Sequence, residues 1–190
     1  MSVSAQPPQA AQGAATGIEL IKAFINTAEF EEGTDDLETA DQARAWLQAQ
    51  ELIGGEPLTE SQRLRLVEAR EALRALIAAG HGGSIDPGGL AILDGVGRSA
   101  RLTIAFSGDG SAVLHPDATG VDRALGRIVA AVYAAMVDGG WARLKICGND
   151  ACSWAFHDQS KNRSAKWCSM QSCGNRMKAR AFRARREAEA

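Results

Sequence analysis

All four cysteines of this 190-residue chain fall in its last 44 residues, at Cys147, Cys152, Cys168 and Cys173, with the spacing C-x4-C-x15-C-x4-C. No other feature constrains the fold as tightly. Two matched pairs of thiols read as the ligand set of one tetrahedral metal ion. A short segment with few apolar residues cannot build much core of its own, and zinc held by four thiolates supplies the missing folding free energy. The expected cofactor is one Zn2+ per chain. His157, five residues after Cys152, is the alternative ligand, although four thiols already fill the tetrahedron. Disulfides are the competing use of the same residues.

The compartment argues against disulfides. Nothing in the first thirty residues joins a basic start to a long apolar stretch, and the longest apolar run, "IVAAVYAAMV", has ten residues. Neither a secretory signal nor a membrane span is expected. The location expected is the cytoplasm, where thiols stay reduced and clustered cysteines bind metal or do chemistry.

Charge divides the chain at the same place. Residues 1–140 hold ten Lys/Arg against nineteen Asp/Glu, whereas residues 141–190 hold eleven against four. An acidic body carries a basic tail. The opposite signs invite the body to dock on the tail when nothing else competes.

Along the body, residues 1–17, "MSVSAQPPQAAQGAATG", are small, polar and Pro-containing, and are read as disordered. Leu20, Ile21, Phe24, Ile25 and Ala28 recur at three- and four-residue spacing, which predicts a helix with one buried face. A second helix is expected from Thr39, aligning Ala43, Trp46 and Leu47. A third follows Thr59 as N-cap, with Leu64, Val67, Leu73 and Leu76 on its apolar period, and stops at glycines. The stretch "RLTIAFSGDGSAVLHPD" reads as an antiparallel hairpin around "SGDGS". Val121 to Val137 is apolar around most of its circumference and predicts the central core helix, ended by "DGG". His81 and His115 read as solvated turn residues.

A catalytic role is not expected. Catalytic zinc keeps an open position for water, and four cysteines leave none. A cysteine nucleophile would need a base such as His157 and a third group to orient it. Asp158, adjacent on an extended segment, would point elsewhere.

The segment "CGNDACSWAFHDQSKNRSAKWCSMQSCGNRMKARAFRARR", from Cys147 to Arg186, resembles the CGNR zinc finger, a bacterial module in which WCSM and CGNR precede a basic stretch. In that family the finger follows an ABATE domain, named for stress-induced transcription regulators. "AFINT" at 23–27 and "DDLETADQARAWL" at 35–47 are similar to that domain's opening, with Ala23 where the family carries aspartate. The resemblance implies a DNA-binding transcriptional regulator.

The residues support that independently. At about 100° per residue, Arg176, Arg180 and Arg183 lie within about 60° of one another on a helix from Asn175. Met177, Ala181 and Ala184 form a separate apolar stripe expected to lie against the metal site. Lys178, Arg185 and Arg186 extend the basic surface, and Lys161, Arg163 and Lys166 add cations from a loop. Four thiolates with one dication remove two charges and leave the tail at about +5, basic enough to seek phosphates. Asn175 and Arg176 are the candidates for base edges, since Asn suits adenine and Arg suits guanine. DNA is the expected partner and no membrane is. RNA stays open if Trp154, Phe156 and Trp167 stack bases, although these aromatics read first as the small domain's core. A homodimer stays open too. A zinc-stabilised protein-interaction adaptor is the alternative from a different class.

In the body, Phe24, Asn26 and Thr27 have two readings. Either they are core and helix-end hydrogen-bonding residues, or they line a ligand pocket that modulates the finger. The fold class expected is mainly α with a small β-hairpin element (α+β), followed by a treble-clef-like zinc finger. The divisions are 1–17, 18–140 and 141–190.

Overall fold

The computed structural model describes residues 17–188. Residues 1–16, most of the expected disordered tail, lie outside the described residues, as do residues 189–190. Gly17, assigned to that tail from sequence, instead opens the first helix, α1 (Gly17–Ile25). Leu20, Ile21, Phe24 and Ile25 are buried, as their spacing requires. Burying an apolar side chain of this size contributes about 1.5–3 kcal/mol relative to leaving it in water.

A tight strand pair follows, β1 (Ala28–Glu29) with β2 (Thr34–Asp35). Helix α2 (Ala40–Ala49) starts at Thr39, whose hydroxyl accepts from the Gln42 N–H at 3.2 Å. It buries Ala43 and Leu47 and sets Trp46 against Phe24, ring centroids 5.7 Å apart. Helix α3 (Glu60–Ala79) starts with a capping box, in which Thr59 and Gln62 each satisfy the other's backbone N–H.

The buried stripe of α3 departs from the expected one. Leu64 is exposed and Leu76 only half-buried, while Leu66, Ala69, Arg70, Leu73, Arg74 and Ile77 face inward. Two arginines on the inner face made the true stripe look polar. A further helix, α4 (Pro87–Ser99), was not expected at all. Asp86 caps it by accepting from the N–H groups of Gly88 and Gly89 at 3.0 and 2.9 Å, and Pro87 sits in its first turn.

The hairpin expected around "SGDGS" is β3 (Leu102–Phe106) paired with β4 (Ala112–Pro116), in the register Ile104↔Leu114. Helix α5 (Gly120–Val137) packs beneath it. Their approach is so close that a Cβ at Gly126 would lie 2.6 Å from the Ala100 Cβ and 2.7 Å from the Pro116 Cβ. Gly139, at φ 81°, then reverses the chain in the left-handed region.

The C-terminal segment begins with a 3-10 turn (Gly140–Arg143) and the strand pair β5 (Leu144–Ile146) and β6 (Ala155–His157). One wide π-type turn (Met170–Gly174) leads into α6 (Asn175–Ala188). The fold is therefore mainly helical, with small antiparallel strand pairs and a cysteine-bearing C-terminal module. Its principal core takes residues from α1, α2, α3 and α5, with Val96 from α4, and also Leu144 and Ala155 from beyond residue 140. No described helix is long and apolar enough to cross a membrane.

Candidate metal centre and nucleic-acid interface

The metal site is assembled from two chain reversals. Cys147 follows β5 and Cys152 precedes β6, so the strand pair brings them together, with the Cys147 N–H donating to the Trp154 carbonyl at 2.8 Å. Between them the Asn149 carbonyl accepts from the N–H groups of Cys152 and Ser153 at 2.8 and 3.1 Å. Ser153 takes φ 49° to close this four-residue loop. Cys168 and Cys173 flank the wide turn, which is stapled by Gly174 N–H donating to Ser169 O at 2.9 Å. The Ser169 hydroxyl oxygen accepts from Gln171 and Ser172 N–H at 3.2 and 3.4 Å.

All four Sγ atoms lie within 4.8 Å of one another. Cys152 and Cys168 are 3.8 Å apart at sulfur, and Cys168 and Cys173 are 3.7 Å apart. A zinc–sulfur bond of ~2.3 Å sets the edge of a thiolate tetrahedron at about 3.8 Å. The donor set fits one zinc ion. Its acid–base chemistry agrees: burial pushes the Cys152 thiol up to about 11 and Cys168 higher still, neighbouring cysteines adding to the rise. Burial also opposes ionisation at Cys173, but hydrogen bonds led by the buried Asn149 side chain bring it down to about 7. Four thiols this close ionise together only around a cation.

Trp154 and Trp167 pack against the cysteines and form the small core expected of them. Phe156 is buried in β6, whereas Trp154 and Trp167 are half-buried. His157 belongs to β6 opposite Leu144 and is not part of the cysteine cluster. His81 is an exposed turn residue, as expected, and its Nε2 also contacts the Leu144 carbonyl at 2.8 Å.

A second arrangement, unreadable from spacing, shapes the loop carrying Lys161, Arg163 and Lys166. The buried Asp158 carboxylate accepts from Lys145 Nζ at 2.7 Å, from Ser160 N–H at 2.9 Å and from Ala165 N–H at 3.0 Å. These donors, Lys145 first, hold its carboxyl far below the ordinary range. Lys145 also donates to the carbonyls of Arg163 and Ala165. Residues 158–165 are thereby looped back on β5, and Lys161, Arg163 and Lys166 are left at the surface.

On α6, Asn175, Lys178, Arg180, Arg183, Arg185 and Arg186 are all exposed. Among the described residues only Arg176 of this helix's cations makes an ion pair. The apolar stripe expected to lie on the metal site is corrected: Met177 is half-buried, but Ala181 and Ala184 are exposed. Two methyl groups offer too little area to hold the helix down, so α6 leaves the core after its first turn.

Arg176 departs from the expected ridge. Its guanidinium pairs with Glu31, in the turn between β1 and β2, with Nη2 donating to Oε2 at 2.9 Å and Nη1 donating to Oε1. The hydrogen bond from Arg176 holds the Glu31 carboxyl below its usual value. Body and finger meet at further points. The Asn26 side chain donates to Ala155 O at 2.9 Å and accepts from Ala155 N–H at 2.7 Å, as a neighbouring strand would. Arg74 donates to Ile25 O and to Ser153 O, both at 2.7 Å, and its guanidinium lies 4.8 Å from the centre of the Phe30 ring. Thr27 donates to Phe24 O at 2.8 Å and accepts from Arg70, whose guanidinium grips both oxygens of Asp35 at 2.6 and 2.9 Å. Of the two readings of Phe24, Asn26 and Thr27, these contacts match the first: Phe24 is core, and Asn26 and Thr27 hydrogen-bond backbone and Arg70 at the joint.

A four-thiolate zinc finger docked on a helical domain defines the class. Residues 19–140 match the ABATE family model, described as "Putative stress-induced transcription regulator", and residues 143–186 match the CGNR zinc finger. The chain belongs to the ABATE family and carries a CGNR zinc finger. No curated protein matches it.

Proposed function

We propose that the protein regulates transcription by binding duplex DNA through α6 and the 161–166 loop of its zinc finger. The observation that carries this reading is the row of exposed cations on α6 that form no ion pair among the described residues, namely Lys178, Arg180, Arg183, Arg185 and Arg186. A helix with this charge, exposed from Lys178 to Glu187, is suited to a phosphate backbone. Zinc, when bound, supplies folding free energy and orients the start of α6. Asn175 and Arg176 then stand at the helix end nearest the metal, where base edges would be met. With four thiols filling the tetrahedron, the site is read as non-catalytic, in a compartment that keeps those thiols reduced.

Each lost phosphate contact removes about 0.9 from the slope of log affinity against log salt on B-DNA. Arg180→Gln with Arg183→Gln is therefore expected to flatten that slope by about two units while zinc content stays at one per chain. An unchanged slope and affinity would discard the DNA-facing helix. One observation favours a second reading, a protein-interaction adaptor: Phe182, 54% exposed, stands among the cations of α6. Binding through that side chain would persist at high salt and fail in Phe182→Ala.

A further inference from the structure

The Arg176–Glu31 pair joins the residue offered to DNA with the acidic body, across 145 positions of sequence. Both ends are built in place. Arg176 opens α6 immediately after the metal-binding turn, and its Nη2 lies 4.0 Å from the Cys173 sulfur. Glu31 sits on a short turn closed by Gly33 N–H donating to Glu29 O at 2.9 Å. The base of that turn is fixed by the Asp35–Arg70 clamp and by Phe30 under Arg74. Arg74 reaches the finger as well, through Ser153 O. The 29–32 turn and the metal-binding turn that leads into α6 are thus two anchored surfaces facing each other over a cleft of about 440 Å3, which Glu29 and Glu31 line on one side and Ser172 with the metal ligands Cys152, Cys168 and Cys173 on the other.

The turn carries Glu29, Glu31 and Glu32 in four residues. A carboxylate offering two oxygens to a guanidinium presents the same fork that a phosphate diester presents. One guanidinium cannot serve both. We propose that the 29–32 turn is an intramolecular mimic of the DNA backbone, in which Glu31 occupies Arg176 and must release it before the finger can engage DNA through that residue. This rests on the DNA-binding reading of α6. The latch makes the free protein a weaker binder than its finger alone would be, because apparent affinity falls by the fraction of molecules with Arg176 free. Anything that draws the turn away from the finger, including a molecule wedged into the cleft, would raise DNA affinity without touching α6.

The test uses the full zinc-loaded chain and a short mixed-sequence duplex, with wild type, Glu31→Gln, Arg176→Gln and the double variant titrated across salt. Glu31→Gln removes the charge and keeps the shape of an exposed side chain, and zinc content with circular dichroism verifies the fold. An exposed ion pair of this kind sets the scale at about two- to fivefold. Glu31→Gln is therefore expected to bind about two- to fivefold tighter than wild type at low salt, the gain shrinking as salt screens the pair. In the Arg176→Gln background the same change should have no effect. Wild type binding DNA with Glu31→Gln no tighter, or weaker, overturns the latch and leaves the DNA reading standing. If neither protein binds the duplex, the DNA reading itself falls, and the latch with it. Binding by Glu31→Gln where wild type shows none is the strongest supporting result.

Discussion

The two halves of this molecule are held together by different physics. The body is ordered by apolar surface: Ile21, Phe24, Leu47, Leu66, Leu73 and Ile128 have essentially no exposure. The finger has three buried cysteines and two half-buried tryptophans where the body has a layer of side chains. An apolar core is distributed, so that no single atom is indispensable, whereas four thiols around one ion stand or fall with that ion. Yet Leu144 and Ala155 sit in the body's core while their neighbours hold the metal site. The contrast in physics does not coincide with a gap in space.

The largest expected effect breaks the comparison at the metal. Structural zinc contributes on the order of 10 kcal/mol in small fingers, so a strong chelator, or Cys168→Ser, should abolish amide protection in residues 147–176. Protection in α1, α3 and α5 should survive. Loss of protection throughout the chain at the same chelator concentration would show that the body has no stability of its own.

A smaller effect breaks the body without touching the finger. Asp35→Asn leaves the buried Arg70 guanidinium with Glu71 as its remaining carboxylate and should cost about 1.5–3 kcal/mol at neutral pH. The direction with pH follows from Asp35 itself. Burial raises its pKa, but the Arg70 hydrogen bonds and the Leu37 N–H outweigh it, and the folded carboxyl lies below its usual value. The folded state therefore holds that proton less tightly than the unfolded chain. The contribution is complete above about pH 5 and is lost as pH falls below the unfolded value near 3.9 and through the lower folded one. Urea midpoints of wild type and variant should converge over that acid range, and a constant gap would rule out the carboxylate as the cause.

The smallest effect sharpens the comparison at the joint. Asn26→Ala leaves the Ala155 N–H and C=O without their side-chain partner and should cost about 1–3 kcal/mol. More telling is where the cost appears. Hydrogen exchange should rise in β6 and the Cys147–Cys152 loop more than in α5, and an even rise would make Asn26 an ordinary core residue.

What the sequence disclosed follows the same division. Thr59 was legible as a cap and Thr39 as a helix start because helix initiation is local chemistry, and the cysteines were legible because ligand spacing is too. Helix α4 was hidden by its glycines, although "DPGG" carries both a cap and a first-turn proline. Arg70 and Arg74 were hidden because a charged side chain reads as solvent-facing until its partners are known, and those partners, Asp35 and the carbonyls of Ile25 and Ser153, lie far along the chain. Arg176 was placed with Arg180 and Arg183 by helical angle alone, which carries no information about Glu31. Periodicity ranks faces of one element. It does not say which of two polar faces meets another part of the protein.

The strand-like pairing of Asn26 with Ala155 limits how far this finger can be transplanted. A finger excised at residue 143 would carry Leu144 and Ala155 as an uncovered apolar edge beside a peptide group with no mate. Fused to a foreign helical domain it should bind metal and still aggregate, unless the host is given a side-chain amide and a greasy shelf in matching positions. The structural unit here is the pair, and a fusion that separates the two parts would have to rebuild their seam.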